Sequence, residues 1–132
     1  MATIRAVDDA TSLQVTPLRD AAVEGLLAQA QADEAKRHYD DAFTAIGRAR
    51  KLAPDAPDLI QFAAEIELLR GNTQQAERLA VESWRKGPKL GVLCERNWQT
   101  VIEARKIFND PAYQATAAAY QAQCKVPAPV RM

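Results

Sequence analysis

Small and apolar residues recur along this chain at helical spacing and, between Tyr39 and Pro88, at one constant offset. The matched positions are Ala42 and Ala76, Ile46 and Ala80, Ala49 and Ser83, and Pro54 and Pro88. A repeat of about 34 residues is the size of one helix-turn-helix unit. The pattern therefore predicts an all-α fold of about six antiparallel helices, paired into hairpins over about 16–54, 55–88 and 89–124.

Capping and breaking residues place the ends of these helices. Thr16 and Pro17 form a start signal, and the first helix is predicted to run from there to about Arg37. A turn over 38–40 leads to a second helix that carries Leu52 and ends before Pro54. The remaining helices are predicted over about 57–70, from 72 or 73 to 87, over 91–108 with Phe108 among its apolar residues, and over 111–124.

The hairpins predict a single helical domain over 16–125, flanked by an extended or mobile arm at 1–15 and a tail at 126–132. The apolar runs are all short, so we expect no membrane insertion, which takes roughly 20 consecutive apolar residues. The segment 1–20 has no apolar block of the kind found in a signal peptide. If the protein is exported, we expect its signal to have been removed already.

Charge divides the chain into two unlike halves. Residues 1–69 hold 7 basic and 12 acidic residues, a net charge of −5, whereas residues 70–132 hold 10 and 5, a net charge of +5. Such a chain can orient a charged partner or stack end to end with its own copies, although evenly solvated helix faces would give the same counts. The basic half lacks the clustered basic and aromatic residues typical of nucleic-acid binding.

Residues 23–90 resemble two tetratricopeptide repeats. The positions that carry the resemblance are Ala30, Ala42, Ile46, Ala49 and Pro54 with Tyr39 at the turn, then Ala64, Ala76, Ala80, Ser83 and Pro88 with Gly71 at the turn. The third hairpin fits this pattern poorly and is interpreted as a degenerate capping repeat. The resemblance implies a right-handed α-solenoid that holds a peptide or partner helix in a concave groove, lined by the first helix of each hairpin.

By this resemblance, the groove residues are Glu24, Leu27, Gln31, Glu34, Asp58, Gln61, Phe62, Glu65, Leu69 and Arg96, and a weaker alignment adds Glu95, Gln99 and Glu103. They imply an acidic lining with exposed Leu27, Phe62 and Leu69, which suits a partner carrying basic and apolar residues. The family's clamp for chaperone carboxylates is not expected, because only Arg96 matches its basic positions. The alternative is that these are ordinary solvated positions.

Cys94 and Cys124 lie at nearly equal distances along the chain before and after Asp110, where the third hairpin is predicted to turn. At about 1.5 Å of rise per residue, the two cysteines reach similar heights on antiparallel helices, so a disulfide is feasible. A disulfide would place the protein in a periplasm or otherwise outside the cytosol. The alternative is a cytoplasmic protein with two buried free cysteines.

No constellation of catalytic or metal-binding residues is evident. His38 is the only histidine and lies on a predicted turn. Packing of the last hairpin accounts for Trp84, Trp98, Tyr113 and Tyr120, and a docking end surface is the alternative. The sequence thus predicts a non-catalytic adaptor without cofactor that binds another protein, with possible functions in envelope assembly. A self-associating structural subunit is the main alternative, and a small enzyme accessory is a third.

Overall fold

The computed structural model describes Ile4 and residues 19–126. Six α-helices lie between residues 19 and 126, and we number them in chain order. They are α1 (Ala21–Ala35), α2 (Tyr39–Leu52), α3 (Pro57–Leu69), α4 (Thr73–Lys86), α5 (Val92–Ile107) and α6 (Pro111–Ala122). The prediction of an all-helical fold with about six helices is confirmed.

Consecutive helices pair into three hairpins, α1 with α2, α3 with α4 and α5 with α6. The hairpins pack in chain order, because α2 contacts α3 and α4 contacts α5, and α3 also contacts α5 directly. Small residues permit close packing: Ala42, Ala49 and Ala80 are fully buried. The right-handed solenoid itself stays a prediction.

The start of α1 differs from the sequence-based prediction. Arg19 and Asp20 are not helical, and Asp20 is the N-cap, where its Oδ1 accepts a hydrogen bond of 2.9 Å from the Ala22 N–H. A helix running through from Pro17 is therefore wrong at Arg19 and Asp20, while residues 16–18 lie outside the described part. The predicted arm is also outside it, except for the buried and helical Ile4.

Other helix ends follow local chemistry. Pro57 and Pro111 stand at the first turns of α3 and α6, and the Asp110 carboxylate accepts a hydrogen bond from the Tyr113 N–H at 3.1 Å. The first turn lies over 36–38 rather than 38–40, since Arg37 takes a positive φ of 62° and Tyr39 is already helical. Leu52 and Phe108, which the sequence places among the apolar residues of their helices, are exposed, because each lies at the end of its helix.

Candidate functional site

The first helices of the three hairpins, α1, α3 and α5, carry every residue of the predicted groove. Packing of α3 against α4, α2 and α5 buries all nine residues from Leu59 to Glu67. Gln61, Phe62 and Glu65 are among them, so the expectation that Phe62 is exposed is wrong. These three side chains pack α3 against its neighbouring helices and are not part of an open binding surface.

Gln61 is the centre of a polar network in the buried contact between α3 and α5. Its Nε2 donates to Glu65 Oε2 at 2.8 Å and to Thr100 Oγ1 at 2.8 Å, and its Oε1 accepts from Asn97 Nδ2 at 2.7 Å. Asn97 Nδ2 also donates to Ser83 Oγ at 2.9 Å. The network links α3, α4 and α5, and it specifies how these helices meet because a buried polar group costs stability when it lacks a partner.

An ion pair flanks the network. The Arg96 guanidinium donates from Nη2 to both carboxylate oxygens of Glu65, at 2.7 and 2.6 Å, and from Nε at 3.0 Å. Glu65 is fully buried, whereas about a fifth of the Arg96 side chain is exposed, at 19%. The pair thus fixes α5 against α3 and leaves the guanidinium edge at the surface.

A second ion pair joins the start of the helical domain to α3. Arg19 donates to both oxygens of Asp58, at 2.8 and 2.7 Å, and its Nε lies 2.7 Å from Glu24 Oε1. The hydrogen bond to Asp58 raises the pKa of Arg19, with the charge of Glu24 adding to it. The acidic lining expected of the groove is therefore reduced, since Glu24, Asp58 and Glu65 all contact arginines.

The accessible part of the face lies mainly on α1. Glu24 and Gln31 are exposed, and Leu27, Glu34 and Leu69 are half-buried. On α5, Gln99 and Glu103 are half-buried and hydrogen-bonded to each other at 3.0 Å. The open surface of these helices, called the rim below, is thus mainly polar, with Leu27 and Leu69 as its partly accessible apolar groups.

Glu95, which the weaker alignment placed in the groove, is also buried. Burial raises the pKa of its carboxyl, while the positive charge of Lys125 lowers it to a smaller extent. A raised pKa means that folding favours the protonated carboxyl, so its contribution to stability is lost as the pH rises through the folded-state pKa.

We therefore expect Glu95→Gln to raise the melting temperature near neutral pH, with a gain that shrinks at about pH 4, where the wild-type carboxyl is mostly protonated in both states. Thermal unfolding at the two pH values measures the difference. Glu82→Gln is the control, because Glu82 is a half-exposed partner of Lys86, and it should gain nothing. An equal gain from Glu95→Gln at both pH values would contradict the burial argument.

The third hairpin is held by a disulfide between Cys94 and Cys124, whose Cα atoms are 5.6 Å apart. The predicted pairing is confirmed. One turn from the cysteines, Trp98 and Tyr120 stack with ring centroids 4.6 Å apart, and Trp84 meets both rings edge-on. These three aromatic residues pack the last hairpin against α4, as the packing interpretation predicts, whereas Tyr113 is exposed and outside this cluster.

Sequence reasoning missed Ser83, Asn97 and Thr100 as members of the polar network. Ser83 occupies a position where the preceding repeat has Ala49, and its hydroxyl donates to the Pro57 carbonyl at 2.7 Å. The signal for Ser83 in the sequence was a hydroxyl side chain at a position where the preceding repeat has alanine. Asn97 and Thr100 are one helical turn apart and therefore lie on the same face of α5. This spacing identifies them as network members only when α3 is known to pack against that face.

Among Ile4 and residues 19–126, no group of three or more His, Cys, Asp and Glu side chains is placed to bind a metal ion. Within that same part of the chain, no helix has the length and apolar character needed to cross a membrane.

No family model matches the sequence, and no curated protein matches it. Among solved structures, the chain is similar to the globular C-terminal domain of P. aeruginosa LpoP, with a TM-score of 0.75 and 25% sequence identity. The similarity covers 80% of this chain and 99% of the LpoP domain. Four fifths of this chain therefore correspond to nearly all of that domain.

Proposed function

We propose that this chain is a non-catalytic protein-interaction domain of the cell envelope that binds a partner protein on the face formed by α1, α3 and α5. The observation that carries the proposal is the similarity of this chain to the LpoP domain in fold and in extent. The similarity covers 99% of that domain. The Cys94–Cys124 disulfide supports a location outside the reducing cytosol, in the periplasm or beyond.

The fold supports the tetratricopeptide-like interpretation, with α1, α3 and α5 as the groove-forming helices. In this proposal, the Gln61 network and the Glu65–Arg96 pair hold the helices in a fixed arrangement, and the accessible rim contacts the partner. Glu24, Leu27 and Gln31 on α1 are its centre. The exposed Glu24 carboxylate, which also contacts Arg19, and the Gln31 amide beside Leu27 suit a segment with basic and apolar residues, bound as an extended peptide or as a helix.

The experiment is photo-crosslinking in cells from a benzophenone amino acid placed at Gln31, with Arg48 as the control position. Both residues are exposed helix positions, so each should accept the label without loss of the fold. We expect a crosslinked partner from Gln31 that is absent from Arg48 and is lost when Leu27→Asp is added. Equal crosslinking from both positions would overturn the assignment, and a product of twice the chain mass would identify self-association instead.

A further inference from the structure

The turns inside the three hairpins share one backbone motif. A residue of positive φ stands at the same place in each, at Arg37 (62°), Gly71 (86°) and Asn109 (54°). The next residue donates its N–H to the carbonyl five positions back in every case: His38 to Asp33 at 2.8 Å, Asn72 to Glu67 at 2.9 Å, and Asp110 to Arg105 at 2.9 Å. Because the geometry is common, side chains can be compared position by position.

The third turn differs from the other two in its side chains. The residue before the positive-φ position is Lys36 in the first turn and Arg70 in the second, but it is Phe108 in the third. Phe108 is 42% exposed, and Ile107 before it is 62% exposed. Lys36 and Arg70 show that the turn needs no apolar side chain at the position of Phe108. Ile107, whose equivalents Ala35 and Leu69 are also apolar, adds to the exposed apolar surface at this turn.

Neighbouring side chains hold Phe108 in a fixed setting. The Arg105 guanidinium lies 4.0 Å from the ring centroid of Tyr113, which is itself exposed, and 5.6 Å from that of Phe108. Arg105 is in turn fixed by Glu77, at 2.7 Å from Nη2. The two aromatic rings therefore flank an anchored cation, and an arrangement fixed in advance loses less entropy when a partner binds.

An open groove separates Phe108 from the first turns of α4. It is lined by Gln74, Glu77, Arg78, Arg105, Phe108 and Asp110. Arg105 lies within ion-pair distance of Glu77 and Asp110, at 2.7 and 3.5 Å, and Asp110 also caps α6. Arg78 is exposed, and within residues 19–126 its side chain makes no ion pair. The groove thus holds two carboxylates, which both contact Arg105, and Arg78 is its exposed cation outside these ion pairs, next to exposed apolar surface.

The N-terminus of α4, next to Arg78, also favours a negatively charged group. Asn72, its N-cap residue, makes no side-chain hydrogen bond to the helix, so the first N–H groups of α4 remain available beside Arg78. A carboxylate is therefore favoured at this point of the groove, at the edge of the apolar surface.

We propose that Ile107, Phe108 and Arg78 form a second docking surface, which binds a protein segment carrying an Asp or Glu side chain beside a large apolar side chain. The apolar side chain of the partner packs on Phe108 and Ile107, and its carboxylate pairs with Arg78. This surface is distinct from the rim on α1, and its preference for an acidic segment is opposite to that of the rim.

The probe is a phage-displayed random peptide library, selected on the oxidised full chain. One class of recovered peptides should combine an acidic with a large apolar residue, and Phe108→Arg and Arg78→Glu should each weaken the binding of this class about tenfold or more. Phe108→Arg should fold, because Arg70 occupies the same position of the second turn. If circular dichroism shows that Phe108→Arg is unfolded, Arg78→Glu alone tests the proposal, because Arg78 is an exposed side chain whose replacement should not affect folding.

Leu52→Ser is the control, because Leu52 is an exposed apolar residue (58%) on another helix, and it should leave peptide binding unchanged. Peptides that depend on Phe108 but carry no acidic residue, or equal weakening by Leu52→Ser, would overturn the proposal. So would Phe108-dependent flotation with phosphatidylglycerol vesicles, which would identify a lipid surface, or a dimer abolished by Phe108→Arg, which would identify a second copy. Loss of this site should leave crosslinking from Gln31 intact, so the two functional proposals can fail separately.

Discussion

Reduction of the Cys94–Cys124 disulfide is expected to lower the free energy of unfolding by about 3 to 4 kcal/mol. The bond closes a loop between residues 30 positions apart, and the chain-entropy model gives this magnitude for a loop of that size. For a chain of 132 residues, the melting temperature should fall by roughly 10 °C. Thermal unfolding with and without dithiothreitol measures the effect.

Reduction of the disulfide should destabilise α6 more than the other helices. This helix buries only Ala117 among its 12 residues, so little apolar contact holds it without the disulfide. Its remaining links to α5 include the Tyr120 ring on Trp98 and a hydrogen bond of 2.7 Å from Gly91 N–H to the Cys124 carbonyl. Amide hydrogen exchange in the reduced protein should therefore accelerate in α6 before it accelerates in α3.

The double variant Cys94→Ala, Cys124→Ala is the control for this experiment. It should have the stability of the reduced wild-type protein and show no response to dithiothreitol. Alanine suits both buried positions better than serine, because a buried hydroxyl would need a new hydrogen-bond partner. If the reductant left the wild-type melting temperature unchanged while both thiols became titratable, the disulfide would contribute no stability.

Local chemistry made the helices and the disulfide predictable. Pro57, Pro111 and Gly71 act within one or two residues of where they stand, so their signals do not depend on the rest of the fold. The disulfide followed from counting residues on either side of the Asp110 turn, because two antiparallel helices return at a fixed rise per residue. The predicted start of α1 was wrong because Thr16 and Asp20 both offer capping side chains, and the sequence alone could not decide between them.

The binding face was less predictable, because it depends on contacts between hairpins. Gln61 and Glu65 are polar residues one helical turn apart, a pattern that ordinarily indicates a solvated helix face. The direct contact of α3 with α5 buries them instead, and Thr100, Asn97 and Arg96 on α5 supply their partners. Periodicity within one helix contains no information about a partner on another hairpin, so only the assembled structure could identify the network.

The exposed apolar residues were missed for a related reason. Leu52 and Phe108 continue the apolar spacing of α2 and α5, yet they stand at the last residue of one helix and the cap of the other. The spacing assigns a side chain to a face of the helix, but it does not tell whether a neighbouring helix extends far enough to cover that turn. Comparison of the three turns provided the missing information for Phe108.

Replacement of Gln61 by leucine is expected to lower the free energy of unfolding by about 2 to 4 kcal/mol, although leucine is apolar and similar in size. The substitution removes the hydrogen bonds of the Gln61 amide to Glu65 and Thr100 and its acceptor for Asn97. Polar groups at all three positions are buried, so water cannot replace the lost partner without opening the contact between α3 and α5.

Gln29→Leu is the matched control, since it makes the same chemical change at an exposed position of α1. We expect its stability from urea unfolding to change little, by about 0.5 kcal/mol or less. If Gln61→Leu unfolded at the wild-type urea midpoint, the network would contribute no net stability, and a simpler apolar contact would serve the fold equally well. A destabilised Gln61→Leu protein that also lost crosslinking from Gln31 would show that the buried network positions the partner-binding rim on the neighbouring hairpin.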